Sequence, residues 1–263
     1  MVSNGETVLH IISDGGSKDF LASRCDVSTE HDFFLTEIGG KTTRTTIDTE
    51  VMAVCGGDVS DLLSLLPEVR CEVQAWGPQI QAISVGDCKI DHMTINHRAK
   101  DMTMIGTRWS GGEMKPPPFR QGQRTFPRSF IPPVVSVDLI SVGEGMTCMD
   151  VPFFDVSLDI DNDRGCPISR FDIRTMLFPE SGELFDVVMT IGDQEIRLNN
   201  MYVSRSTSFA NHSEMRITLT GSGVHSPTQV SGTSFIATGA TPYIPVIEPP
   251  EEIPTEFEWW DDD

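Results

Sequence analysis

A chain of 263 residues with a formal charge of −20, 38% apolar and 22% charged residues, has room for one large or two small packed domains and the apolar content to fill their cores. The charge disfavours duplex nucleic acid as a ligand, because affinity there comes from cations that neutralise phosphates; it suits instead the wall of a passage through which a polyanion slides without sticking. No run of about 18 apolar residues predicts a membrane span, and the opening MVSNGETVLHIIS lacks the basic start, apolar core and small-residue cleavage site of a signal peptide.

The first half reads as short strands and turns with one helix. Val8–Ile12 predicts a strand ended by Asp14-Gly15-Gly16, and Phe33–Ile38 a second ended by Gly39-Gly40-Lys41. Thr42–Val54, rich in Thr and Val, suits a pleated surface. Asp58–Leu66 is the helix candidate, with Asp58 or Ser60 as cap and Pro67 as stop. Cys71, Val73 and Ala75 alternate with Glu72, Gln74 and Trp76, the pattern of a half-buried strand.

Between residues 110 and 133 the composition changes. Ser110-Gly111-Gly112 leads into Pro116-Pro117-Pro118, Arg120, Arg124, Arg128 and Pro132-Pro133, the one basic stretch of an acidic chain. It reads as a linker or an extended arm in polyproline conformation, with the three arginines available to an acidic neighbour. Strands resume at Val134–Ser141, Val151–Ile160, Phe185–Ile191, Glu195–Val203 and Met215–Leu219. Ser169–Phe178 stands where the first half has its helix, although its spacing also allows a strand. From about Ser226 the alternation stops, and Glu248–Asp263 holds eight acidic residues and no basic one. Phe257, Trp259 and Trp260 in that tail read as aromatic anchors for a partner.

The halves echo each other. Pro67-Glu68 and Pro179-Glu180 each precede an alternating run, followed by Gly86-Asp87 or Gly192-Asp193, then Met93-Thr94-Ile95 or Met201-Tyr202-Val203, then Met102–Ile105 or Met215–Leu219. A duplication of this kind serves a symmetric assembly or a bilobed site more often than one catalytic centre.

Chemical motifs are sparse. Asp159, Asp161 and Asp163 alternate like calcium ligands, but Gly165 falls at loop position seven and Arg170 at position twelve, against the helix–loop–helix template; a polar strand end entering a Gly turn explains them as well. His92 and His97 are too far apart for a helical metal pair. There is no GxSxG elbow and no phosphate-loop lysine. The six cysteines, Cys25, Cys55, Cys71, Cys88, Cys148 and Cys166, show no CxxC spacing and read as reduced, mostly buried thiols. Met93, Met102, Met104, Met201 and Met215 read as core filling. No cofactor and no catalytic residue is expected.

Arg70-Cys-Glu-Val73, Gly86-Asp-Cys-Lys-Ile90-Asp-His-Met93 and Met102-Thr-Met-Ile105, with Phe185-Asp-Val187, Gly192-Asp193, Ile196, Val203 and Met215-Arg-Ile217-Thr-Leu219, resemble two copies of the tube-like domain of bacteriophage tail and baseplate proteins. The closest pattern is that of the late-control baseplate hub family, related to type VI secretion spikes and to tail tubes. The resemblance implies a mainly β chain of two related tube-like β-barrel or sandwich domains with a short helix each, over residues 1–112 and 134–226, a Pro/Arg-rich linker at 113–133 and an acidic tail at 227–263. It implies a non-enzymatic virion component assembled in the host cytoplasm: a homo-oligomer, trimer or hexamer, that adapts tail tube to spike and lines the passage for DNA. The chain is short for a hub and shows no spike-binding or lysozyme domain. The alternative from another class is a calcium-assisted, carbohydrate-binding β-sandwich.

Overall fold

The computed structural model describes residues 7–34, 40–66, 69–77, 82–98, 101–117, 126, 131–142, 148–162, 168–175, 184–208, 215–222 and 234–238. The first half consists of β1 (Thr7–Ser13), β2 (Gly16–Phe34), β3 (Gly40–Met52), α1 (Gly56–Leu63), β4 (Cys71–Trp76), β5 (Ile83–Arg98), β6 (Thr103–Gly111) and the two-residue β7 (Met114–Lys115). Strands pair in the order β4-β1-β2-β3-β6-β5, and β4 returns to β5, so six strands close a barrel. Closure follows from the sequence because each strand has an apolar side to hide. Ile47, Val51, Ile105 and Trp109 on adjacent strands are fully buried, together with Leu9, Val73, Met93 and Ile95. Val59, Leu62 and Leu63 of α1 join the same cluster.

Two features of this half differ from the sequence reading. β2 is far longer than Phe33–Ile38: its middle, with Lys18, Ser23, Arg24, Asp26 and Glu30 exposed, carries polar groups on both faces and so lacks a clear alternation. The helix starts earlier than Asp58, with Cys55 as its N-cap. Asp58 is the third helical residue, and its carboxylate accepts hydrogen bonds from the backbone N–H groups of Val54 (2.9 Å) and Cys55 (3.2 Å). A carboxylate there satisfies donors that the helix itself leaves open.

The second half consists of β8 (Val135–Ser141), β9 (Cys148–Asp150), β10 (Phe153–Asp161), β11 (Ile168–Thr175), β12 (Leu184–Ile191), β13 (Gln194–Ser208), β14 (Met215–Ser222) and β15 (Ser234–Thr238). Its pairing order is β10-β11-β14-β13-β12-β8-β9. With β8 set against β1, β9 and β10 together against β2, β11 against β3, and β12, β13 and β14 against β4, β5 and β6, every neighbour relation of the first half recurs. The break between β9 and β10 falls at Val151-Pro152: Val151 N–H still bonds the Val137 carbonyl at 2.8 Å, and Pro152 has no N–H to continue the ladder.

The expected second helix at Ser169–Phe178 is a correction. Ile168–Thr175 is β11, with Ser169, Phe171, Ile173 and Thr175 buried while Arg170 is exposed and Arg174 half-buried, a period of two rather than 3.6; α1 is the single helix among the described residues. Matching the halves by hairpin ends also shifts the echo. The last β5–β6 pair is His97–Thr103 and the last β13–β14 pair is Ser208–Met215, so Thr94 corresponds to Arg205 and, across the bulge at Ser204, Met93 to Val203, not to Met201. Gly192-Asp193 is a two-residue hairpin turn with Gly192 at φ 64°, whereas Gly86-Asp87 lies inside β5. β7, in the stretch read as linker, pairs with Ser84 and Val85. β15, in the stretch read as tail, runs parallel to Glu195–Asn199.

Candidate functional site

The two halves are joined edge to edge. β5 spends one edge on β6; on the other it pairs with β4 up to Cys88 and then, from His92 to Arg98, with β10. The sheet therefore runs without interruption through β2, β3, β6, β5, β10, β11, β14 and β13. One face of this run packs on the single hydrophobic core that the two halves share. The other is open and polar, because residues such as Asp48, Thr94, Arg108, Ser157, Asp159 and Arg170 occupy the outward positions.

Several carboxylates on the open face are matched with cations. Arg108 Nε lies 2.8 Å from Asp48, Arg174 3.0 Å from Asp155, Arg170 3.0 Å from Asp172, and Asp91 is held by Arg44 at 3.2 Å and Lys89 at 3.1 Å. At the seam His92 Nε2 stands 2.6 Å from Asp159. The hydrogen bond to Asp159 raises the His92 pKa against the opposing effect of burial. The face dips at Gly106, where a side chain would collide with Thr94 Oγ1, into a depression of about 430 Å³ bordered by Arg24, Glu50, His92 and Arg108.

Two further contacts lock the halves. Asn162 donates from Nδ2 to the carbonyls of Leu66 (3.0 Å) and Ile90 (3.3 Å), and from its backbone to Asp91 (2.7 Å). Gly56, at the start of α1, sits so close to the β12–β13 turn that a methyl group would overlap the Ile191 carbonyl and stand 2.6 Å from an Asp193 carboxylate oxygen. An acidic group at a helix N-terminus also meets the positive end of the helix dipole.

A separate polar cluster lies on the first barrel. His10 Nδ1 is 2.5 Å from Asp19 Oδ1, both buried, and the neighbouring Glu72 accepts from Ser84 and from Gln74 Nε2 at 2.7 Å. Those hydrogen bonds, Ser84 first, hold the Glu72 carboxyl below the usual range. The groups satisfy one another, as buried polar groups must.

Of the residues singled out in the sequence, Arg120, Arg124, Arg128, Phe257, Trp259, Trp260 and Asp163 lie outside the described residues. Asp159 is engaged by His92, and among the described residues no three His, Cys, Asp or Glu side chains are grouped to hold a metal ion. His92 and His97 sit on opposite faces of β5: His97 is buried, 3.1 Å from Thr103 Oγ1 and edge-on to Phe153. Cys25, Cys71 and Cys88 are free thiols, and burial pushes Cys71 and Cys88 up to about 12. Met93 and Met201 are fully buried. The seam contacts of His92, Asn162 and Gly56 were not signalled by the sequence, since each depends on a partner more than sixty residues away.

No protein-family model matches the chain, and no curated protein matches it.

Proposed function

We propose that the chain is a non-enzymatic ring component of a phage tail, baseplate or related injection machine, built from two related tube-like β domains in one polypeptide. The observation that carries this reading is the repeated pairing order of the halves together with their edge-to-edge union at β5–β10. Two domains of one topology, joined through a strand edge in the same sense, are the start of a ring. Continued head to tail with further copies, such a contact closes if the rotation allows. The open polar face of the continuous sheet would then line the central passage. Its paired charges suit a surface that neither grips nor strongly repels a passing polyanion.

In this reading Phe257, Trp259 and Trp260 anchor a neighbouring tail protein, and Arg120, Arg124 and Arg128 contact acidic neighbours. The calcium-assisted carbohydrate-binding alternative draws less support, since Asp159 is committed to His92. Mass in solution by light scattering, with rings sought by negative stain, tests the proposal. A trimer or hexamer is expected; a monomer that calcium stabilises would replace it with the alternative. Removing residues 248–263 is expected to leave the subunit folded and the ring intact while abolishing capture by its tail partner.

A further inference from the structure

The continuous sheet has two ends, and the structure describes what each offers. At one end is β2. Its edge pairs with β1 only as far as Ala22, while β3 occupies the opposite edge through to Phe34. Among the described residues, no strand covers the β1-side edge from Ser23 onward. At the other end is β13. Tyr202 pairs with Leu184 on one edge and Thr220 on the other; beyond it β14 continues alongside, but β12 has ended, so the β12-side edge of Val203–Ser208 is uncovered among the described residues. Unpaired edges of this length are sites of strand addition.

The molecule already contains the joint that these two edges would make. β13 corresponds to β5 and β9–β10 to β2, and the second edge of β5 is covered from His92 to Arg98 by β10. Direction agrees as well. The run holds eight strands, each antiparallel to the next, so a β2 placed beside β13 is antiparallel, as β10 is beside β5. Beside the free β13 edge lies an apolar patch: Tyr202 (47% exposed), Leu184 (43%) and Val142 (39%), tied together by the Leu184–Tyr202 pair and by the Val142 N–H to Leu184 carbonyl bond of 3.0 Å. At the β2 end, Arg24 and Asp26 are largely exposed.

Resting on the ring reading above, we propose that the occupant of the β13 edge is β2 of a second copy of this chain, in the register of the β5–β10 joint. The correspondence set by the hairpin ends fixes that register. Ser157–Asn96 translates to Arg24 opposite Thr207 and Asp159–Thr94 to Asp26 opposite Arg205, both on the hairpin side of the β13 bulge at Ser204. None of these positions has its edge occupied by β1 or β12.

Facing residues of antiparallel strands lie about 4.5–5.5 Å apart at Cα, inside the range a disulfide spans. The test is a double variant, Asp26→Cys with Arg205→Cys, treated with diamide, which takes up the two electrons and two protons released when two thiols join as a disulfide. Arg24→Cys with Thr207→Cys is the independent second pair. Asp26→Cys with Thr207→Cys, one step out of register, and the single variants are the controls, the latter also reporting any linkage through exposed Cys55. The expected result is conversion of most of the subunit into reducible covalent multimers in both matched pairs and little in the controls, on a protein whose parent is oligomeric by light scattering. An oligomeric parent whose matched pairs link no more than the controls would overturn this joint while leaving the ring reading standing. A monomeric parent would overturn both. If one matched pair misfolds by thermal melt, the other decides.

Discussion

The two halves build the same circuit of strands with different materials. In the first, one nineteen-residue strand, β2, pairs with β1 over its beginning and β3 over its remainder. In the second, the same path is cut by Pro152 into β9 and β10. The cut changes what the strand can do. β8 holds only Cys148–Asp150 and Val151, so all of Asp155–Asp161 is left to join β5. In the first half β1 holds β2 as far as Ala22, and the edge remaining begins at Ser23. A proline thus sets how much of an edge goes to closing a barrel and how much to joining a neighbour.

The largest expected effect tests whether the halves are energetically one body. Trp109 and Phe171 are fully buried, one in each half. Truncating either to alanine is expected to cost about 3–5 kcal/mol. Because β5–β10, Asn162 and Gly56 tie the halves together, denaturant unfolding monitored by circular dichroism should show one cooperative transition in both variants. Two separated transitions for Trp109→Ala would mean that the halves are joined but not coupled.

Next in size are the contacts that lock the seam. Gly56→Val inserts a side chain where the Ile191 carbonyl and Asp193 stand, and overpacking of this kind costs about 1–3 kcal/mol. Asn162→Leu removes the donor shared by the Leu66 and Ile90 carbonyls, with a loss of about 1–3 kcal/mol for groups left unpartnered. Both are read as a fall in the denaturant midpoint. Equal stability of Asn162→Leu and the parent would show that β5–β10 pairing alone holds the joint.

How much of this was legible in the sequence depends on where the determining partner lies. β4 could be read from Cys71, Val73 and Ala75 because a half-buried strand alternates locally. The middle of β2 could not, because Arg24 and Asp26 on one face and Thr29 on the other are all exposed and a bulge at Ser23 breaks the alternation, so its strand character comes from the ladder with β3. Ser169–Thr175 was ambiguous for a related reason: Asp172 is buried and bonded to Thr218, which blurs the apolar alternation. The echo gave the order of elements but missed their register, since methionine and glycine recur at positions that the two hairpins do not superpose. The seam was invisible, because nothing in Thr94 or Asp159 alone indicates that their strands pair.

The smallest effect separates the two faces of β5 by pH. On the open face His92 has its pKa raised by Asp159, with Asp161 adding to the effect and Arg108 opposing it. Its stabilisation is therefore fully present below the unfolded value of about 6.5 and is lost as pH rises through the higher folded value. On the buried face His97 has its pKa lowered by burial, with Asp101 in opposition. The unfolded chain then binds the proton more readily, so stability falls as pH drops through about 6.5. The two slopes oppose each other in the parent. His92→Gln removes one of them, so the variant should lose stability relative to the parent as pH is lowered from about 8 to 6. With the His92 and Asp159 side chains 38% and 44% exposed, the difference should stay below about 1 kcal/mol after solvent screening. Denaturant melts of both proteins across that range measure it. A gap that does not change with pH would mean that the pair across the seam orients the strands without contributing as a charge, and the joint would then rest on the backbone ladder and Asn162.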